Sequence, residues 1–130
     1  MVMTVFEKII AREIPASIWY EDDSSLAFFD INPVSTGHSL YIPKEPYPWI
    51  QDLPAEVSAE LFSKVPILVE KLKTATGADY IQLAVMGLDV PHFHLHLIPR
   101  NFGDNHNELY ANDSVDFDTN KLLTKLSNNR

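Results

Sequence analysis

Residues 91–100 read Pro91-His92-Phe93-His94-Leu95-His96-Leu97-Ile98-Pro99-Arg100, with three of the chain's five histidines at alternate positions. On an extended strand this spacing sends the imidazoles to one face and Phe93, Leu95 and Leu97 to the other. One face can join a core while the other presents titratable nitrogens. Each imidazole packed into a face needs a partner or a proton. Three in register are therefore poor filler and point to a functional strand.

The flanking sequence supplies the rest of a sheet. Ser17-Ile18-Trp19-Tyr20 and Leu26-Ala27-Phe28-Phe29 predict a hairpin around the polar turn Glu21 to Ser25. His38 to Ile42 opens after Gly37 and stops at Pro43, and Tyr80 to Met86 precedes the histidine strand, predicted over His92 to Ile98. A short helix is expected from Thr4 to Arg12, with Phe6, Ile9 and Ile10 on one side. Val57, Leu61, Val65, Leu68 and Leu72 form the stripe of a longer helix from about Pro54 to Lys73. Pro66 should kink or split it, and Gly77 is placed to end it. Leu122, Leu123 and Leu126 suggest a last helix from Asp118, after an Asn- and Asp-rich passage expected to loop across the surface. Five strands joined by short turns, with one main helix inserted, make an α+β domain with an antiparallel sheet. We expect one domain over 1–130, with 101–130 as a C-terminal extension.

Composition narrows the function. The formal charge is -8, and binding of polymeric phosphate leans on Lys and Arg, so a nucleic-acid partner is not expected. A local pocket could still take a small phosphorylated ligand. No apolar run is long enough for a membrane span, and no apolar signal segment follows Met1, which favours a cytoplasmic protein. Without cysteine there are no disulfides and no thiolate zinc sites.

Clustered imidazoles suit two chemistries. His92, His94 and His96 could ligate a metal, with Asp89 or Asp104 supplying oxygen, in a metal-dependent hydrolase. Alternatively one imidazole attacks an electrophile while its neighbours hold anionic oxygens. His38 opens another strand and could reach the same centre, or it could be a satisfied strand-edge residue. His106 is expected at the surface. Glu21-Asp22-Asp23, Asp116 and Asp118 read as solvated turn and cap residues, and Trp19 and Trp49 as core or interface aromatics.

The chain resembles the histidine triad (HIT) family of nucleotide hydrolases and transferases. His92 to Ile98 matches the family's alternating signature. Phe6 to Pro15, Tyr20-Glu21-Asp22, Leu26 to Pro33 and Gly37 to Lys44 occur in family order. The resemblance implies the HIT-like fold: a five-stranded antiparallel sheet, one long helix, short terminal helices and a homodimer. It implies a purine nucleotide substrate, a phosphoramidate or phosphoanhydride, cleaved at the α-phosphorus through a covalent intermediate on His94. His96 would contact phosphate oxygen or the departing group, while His92 and His38 orient the centre. Asp30 would bind ribose hydroxyls and Ile31 would line the base pocket. No metal or other cofactor is required by this scheme.

The chain also departs from the family pattern. Thr4 and Glu7 stand where some relatives carry a zinc-binding cysteine pair, so that site should be missing. The link into the triad is short. Leu88 replaces a Gln, and Asp89 stands where a Ser or Thr commonly touches phosphate. These changes also leave room for a nucleotide-binding protein of weak activity.

Overall fold

The computed structural model describes residues 3–86, 89–104 and 115–128. Gly87, Leu88, His106 and most of the expected surface passage lie outside the described residues. Thr4 starts helix α1 (Val5–Ile10) with a capping box, accepting from the Glu7 N–H while the Glu7 carboxylate accepts from the Thr4 N–H. Thr4 and Glu7 thus serve together as a helix start.

Strands β1 (Ile18–Glu21), β2 (Ser25–Phe29), β3 (Ser39–Pro43), β4 (Tyr80–Val85) and β5 (Leu95–Arg100) form one sheet, ordered β1-β2-β3-β5-β4. Every neighbouring pair is antiparallel. The expected long helix is split into α2 (Ala55–Ser63) and α3 (Val65–Thr76), after a short 3-10 turn at Ile50–Asp52. Pro66 has no N–H to reach back four residues, so the break falls just ahead of it, at Lys64. Gly77 ends α3 in the left-handed region at φ 72°. Helix α4 (Thr119–Asn128) begins after Asp118, which accepts from the Lys121 N–H.

The sheet has two unlike faces. On one, α2, α3 and α4 place Leu61, Leu68, Leu72, Leu122 and Leu126 against Ala27, Phe29, Tyr41, Phe93, Leu95 and Leu97. On the other, the small helix α1 sets Phe6 and Ile9 on Leu26, Phe28, Leu40 and Ile42. That second face is only partly covered, and the histidines emerge there.

Asp22 differs from the expected solvated turn residue. Its carboxylate collects the backbone N–H groups of Ser24 and Ser25, the Tyr20 hydroxyl and the Lys64 ammonium. Burial opposes its charge, but these donors, Lys64 first, hold its carboxyl well below the usual range. The pair ties the β1–β2 turn to the α2–α3 break. Trp19 donates to the Ser39 hydroxyl at 2.9 Å, whereas Trp49 is half exposed.

Candidate active site

Only His96 of the three alternating histidines lies on a paired strand. The expected strand from His92 begins instead at Leu95. Leu95 faces Tyr41 and Val85, the last residues of the flanking ladders, and Pro43 brings β3 to its end without an N–H. The 91–94 segment is held by other bonds. The Phe93 N–H donates to the Tyr47 carbonyl at 2.5 Å, and the His92 N–H donates to the Val90 carbonyl at 2.8 Å. The alternation still holds: Phe93, Leu95 and Leu97 enter the helix-side core, while Phe6 of α1 meets the rings of His92 and His94 edge-on.

The rings of His94, His92 and His38 are each fixed by a backbone group whose hydrogen-bonding role admits no choice. A carbonyl only accepts, so His94 donates Nδ1–H to the His92 carbonyl at 2.7 Å. In the neutral ring this leaves the lone pair on Nε2. His92 likewise donates Nε2–H to the Pro43 carbonyl at 2.7 Å, while its buried Nδ1 has no hydrogen-bond partner among the described residues.

His38 and His96 form a second linked pair. The Val34 N–H donates to His38 Nδ1 at 3.0 Å, so the proton of the neutral His38 sits on Nε2. His38 then donates to His96 Nδ1 at 2.9 Å, which puts the His96 proton on Nε2. One backbone amide thereby sets the tautomers of two imidazoles. The turn that presents Val34 depends on Gly37, whose φ is +86° and whose missing Cβ would sit 2.7 Å from Thr76 Cγ2.

Burial keeps these rings neutral. It pushes the pKa of His38 down to about 4, reinforced by the Arg100 charge and opposed by the Asp30 carboxylate. It pushes His96 to about 4 as well, with His38 and His94 adding to the effect. His92 is lowered by burial despite its bond to the Pro43 carbonyl.

The histidine face opens into a cavity of about 470 Å³. His94, His96, Asp30 and Asp89 line it together with the apolar Phe6, Ile9, Leu40 and Ile31. Asp30 Oδ2 lies 3.6 Å from His38 Nε2. Ile31 is 88% exposed at the cavity wall, where its side chain is free to pack against a ligand. The fold therefore brings His94, His96, Asp30, Ile31 and Asp89 to one cavity, with His38 behind His96. His92 is set back against Pro43.

The Val34 amide, the Pro43 carbonyl and Phe6 belong to the site although nothing in the sequence singles them out. Backbone groups leave no residue-type signal. Phe6 carries only the periodicity of an ordinary helix face.

A profile of the HIT domain matches residues 11–103. The chain belongs to the HIT domain family. It is 42% identical over 116 residues to the adenylylsulfatase HINT3 of Arabidopsis thaliana, an alignment covering 85% of this chain. The alignment spans only 57% of that relative's length. An uncharacterised HIT-like protein of Methanocaldococcus jannaschii is 41% identical, with 78% of this chain and 82% of the relative covered. Among solved structures, a Hit-like protein from Bartonella henselae superposes with a TM-score of 0.79 at 31% identity, covering 95% of this chain and 91% of the other. The HIT-like fold and the histidine centre of this chain are thus those of an enzymatic family built around nucleotidyl chemistry on histidine.

Three side chains of the HIT site are also spaced for a cation. The ligand atoms of Asp30, His38 and His96 all lie within 4.8 Å of one another. The His92 and His94 rings are engaged with carbonyls instead. A metal on His38 Nε2 would require the proton on Nδ1, where it would face the Val34 N–H head-on. The donor set has the right spacing, but its tautomers oppose ligation.

Proposed function

We propose that this HIT protein hydrolyses or transfers the nucleotidyl group of a purine nucleoside 5'-phosphoramidate or phosphoanhydride, through a covalent nucleotidyl-His94. The observation that carries the proposal is the 2.7 Å bond from His94 Nδ1–H to the His92 carbonyl. It leaves the Nε2 lone pair for attack, and the accepting carbonyl raises the ring's nucleophilicity.

In the first half-reaction His94 Nε2 forms a bond to the α-phosphorus, and the phosphorus–nitrogen pair departs with the leaving amine. That nitrogen takes a proton from solvent, while the His96 N–H donates a hydrogen bond to the departing group. Water then adds to phosphorus, the His94–phosphorus pair returns to Nε2, and a proton goes back to solvent. His96 Nε2–H, fixed by His38, also stabilises charge on the phosphoryl oxygens. Asp30 holds the ribose hydroxyls, and Ile31 with Phe6 and Leu40 packs the base. His92 supplies the carbonyl that orients His94.

Replacing His94 by Ala should lower turnover of adenosine 5'-phosphoramidate by about a thousandfold or more. Unchanged turnover would sink the proposal. Tight nucleoside monophosphate binding without turnover of any leaving group would instead favour a nucleotide-binding protein. Because its relative is an adenylylsulfatase, adenylyl sulfate belongs among the compounds tried.

A metal-dependent reaction is the second reading, favoured by the spacing of Asp30, His38 and His96. It requires bound zinc or manganese and loss of activity on chelation. Full activity in a chelator would exclude it. We further infer a homodimer joined along the edge strand β4, where Leu83 and Val85 are each 48% exposed on the helix-side face.

A further inference from the structure

Charge is distributed unusually in the catalytic cavity. Two carboxylates, Asp30 and Asp89, line it, and among the described residues no Lys or Arg does. His96 and the His38 behind it do not compensate, because burial holds both neutral down to about pH 4. Arg100, whose charge reaches His38, is engaged with Gln82 at 2.9 Å and Asp104 at 3.8 Å. The neighbouring cavity of about 440 Å³ shares Asp30 and adds Asp116. The surrounding field is negative as well, at a net -8.

The two carboxylates repel an anionic phosphoryl group entering such a cavity, and a positive charge on the substrate offsets that repulsion. Asp30 sits by the apolar wall that packs the base, where it has ribose hydroxyls to accept from. Asp89 comes from a different direction, the connection that leads into the histidine segment. It is exposed, and Val90 beside it lines the same cavity. Its carboxylate has no assigned task at the nucleoside, and it lines the same cavity as His94, from which the leaving group departs.

We propose that Asp89 selects the leaving group by charge, favouring nucleoside phosphoramidates whose departing amine bears a second, cationic ammonium over neutral or anionic leaving groups. The inference rests on the nucleotidyl-transfer reading and adds the substrate class to it. A cation on the leaving group pairs with Asp89 in the bound state. It also offsets the phosphoryl charge, so polyphosphates and sulfates are disfavoured by the same carboxylate. Because Asp89 is exposed, the effect is modest and falls with salt.

The test compares three adenosine compounds on the full chain: the N-(2-aminoethyl) phosphoramidate, the N-propyl phosphoramidate and adenylyl sulfate. The first two differ by one charge at nearly equal size. For the wild type, kcat/KM should favour the aminoethyl over the propyl compound by roughly fivefold at low salt, and less at high salt. Asp89→Asn should bring that ratio close to one, and Asp89→Lys should invert it and raise the relative rate with adenylyl sulfate. An unchanged ratio in Asp89→Asn, or a wild-type preference for adenylyl sulfate over the aminoethyl compound, would overturn the proposal. If none of the three is turned over, the hydrolase reading fails by itself. Calorimetric affinities of the same compounds then decide the charge selection, with the same ordering expected and equal affinities overturning it.

Discussion

Burial holds His38 neutral above about pH 4, and the Val34 amide decides where its single proton sits. That proton fixes His96, so a backbone turn controls which His96 nitrogen carries the N–H. Gly37→Ala should therefore damage both fold and site. The new Cβ meets Thr76, and the residue must stay at positive φ, for a loss of about 1–3 kcal/mol in chemical denaturation.

The neutral histidines also write a pH signature. Unfolded, His38 and His96 take up protons below about pH 6.5, whereas folded they resist until about pH 4. The unfolded state thus binds more protons in that window, and stability present above it is lost as pH falls through it. A denaturation series from pH 7 to 4 should show this loss, and His96→Asn should flatten it. An equally steep decline in the variant would assign the acid sensitivity elsewhere. The residue types of this centre were legible in the sequence, down to Asp30 and His38. Their protonation was not, because it depends on the Val34 amide and the Pro43 and His92 carbonyls.

At the scale of elements, alternating pattern and strand are separable. Residues 92–98 read as one strand, yet its first half lies beyond both flanking ladders and keeps its facing through bonds to Tyr47 and Pro43. A periodic sequence specifies which way side chains point, and the neighbours' lengths specify where pairing starts. The helix break at Lys64 results from Pro66 and was legible. The clamp from Lys64 to Asp22 was not, since three consecutive acidic residues look like any polar turn.

The C-terminal segment bears on the site through Phe117. Its ring packs edge-on against Phe29 at 5.3 Å, and the neighbouring Val115 N–H donates to the Pro33 carbonyl at 2.9 Å. These contacts brace the Asp30–Pro33 segment from outside. Phe117→Ala should cost about 1–2 kcal/mol of stability and raise KM for the nucleotide more than it lowers kcat. A change in kcat alone would show that the brace acts on the chemistry rather than on binding.

The whole molecule divides its labour between the two sheet faces. Three helices complete the core on one side, and a single six-residue helix leaves the other open for a ligand. The five strands and the α+β class were legible from turn spacing and hydrophobic period. The edge position of β4 was not, because β5 turns back to lie between β4 and β3. That edge motivates the dimer: sedimentation at micromolar concentration should give twice the chain mass, and Leu83→Lys should lower it to one. A monomeric wild type would refute the assembly.

Nucleotidyl transfer to His94 is tested most directly by the stereochemical course at phosphorus. The substrate is one diastereomer of adenosine 5'-thiophosphoramidate, hydrolysed in oxygen-18 water. Attack by His94 and then by water inverts the centre in each step, so a covalent intermediate gives net retention. Net inversion would mean that water displaces the leaving group directly and that His94 never bonds to phosphorus.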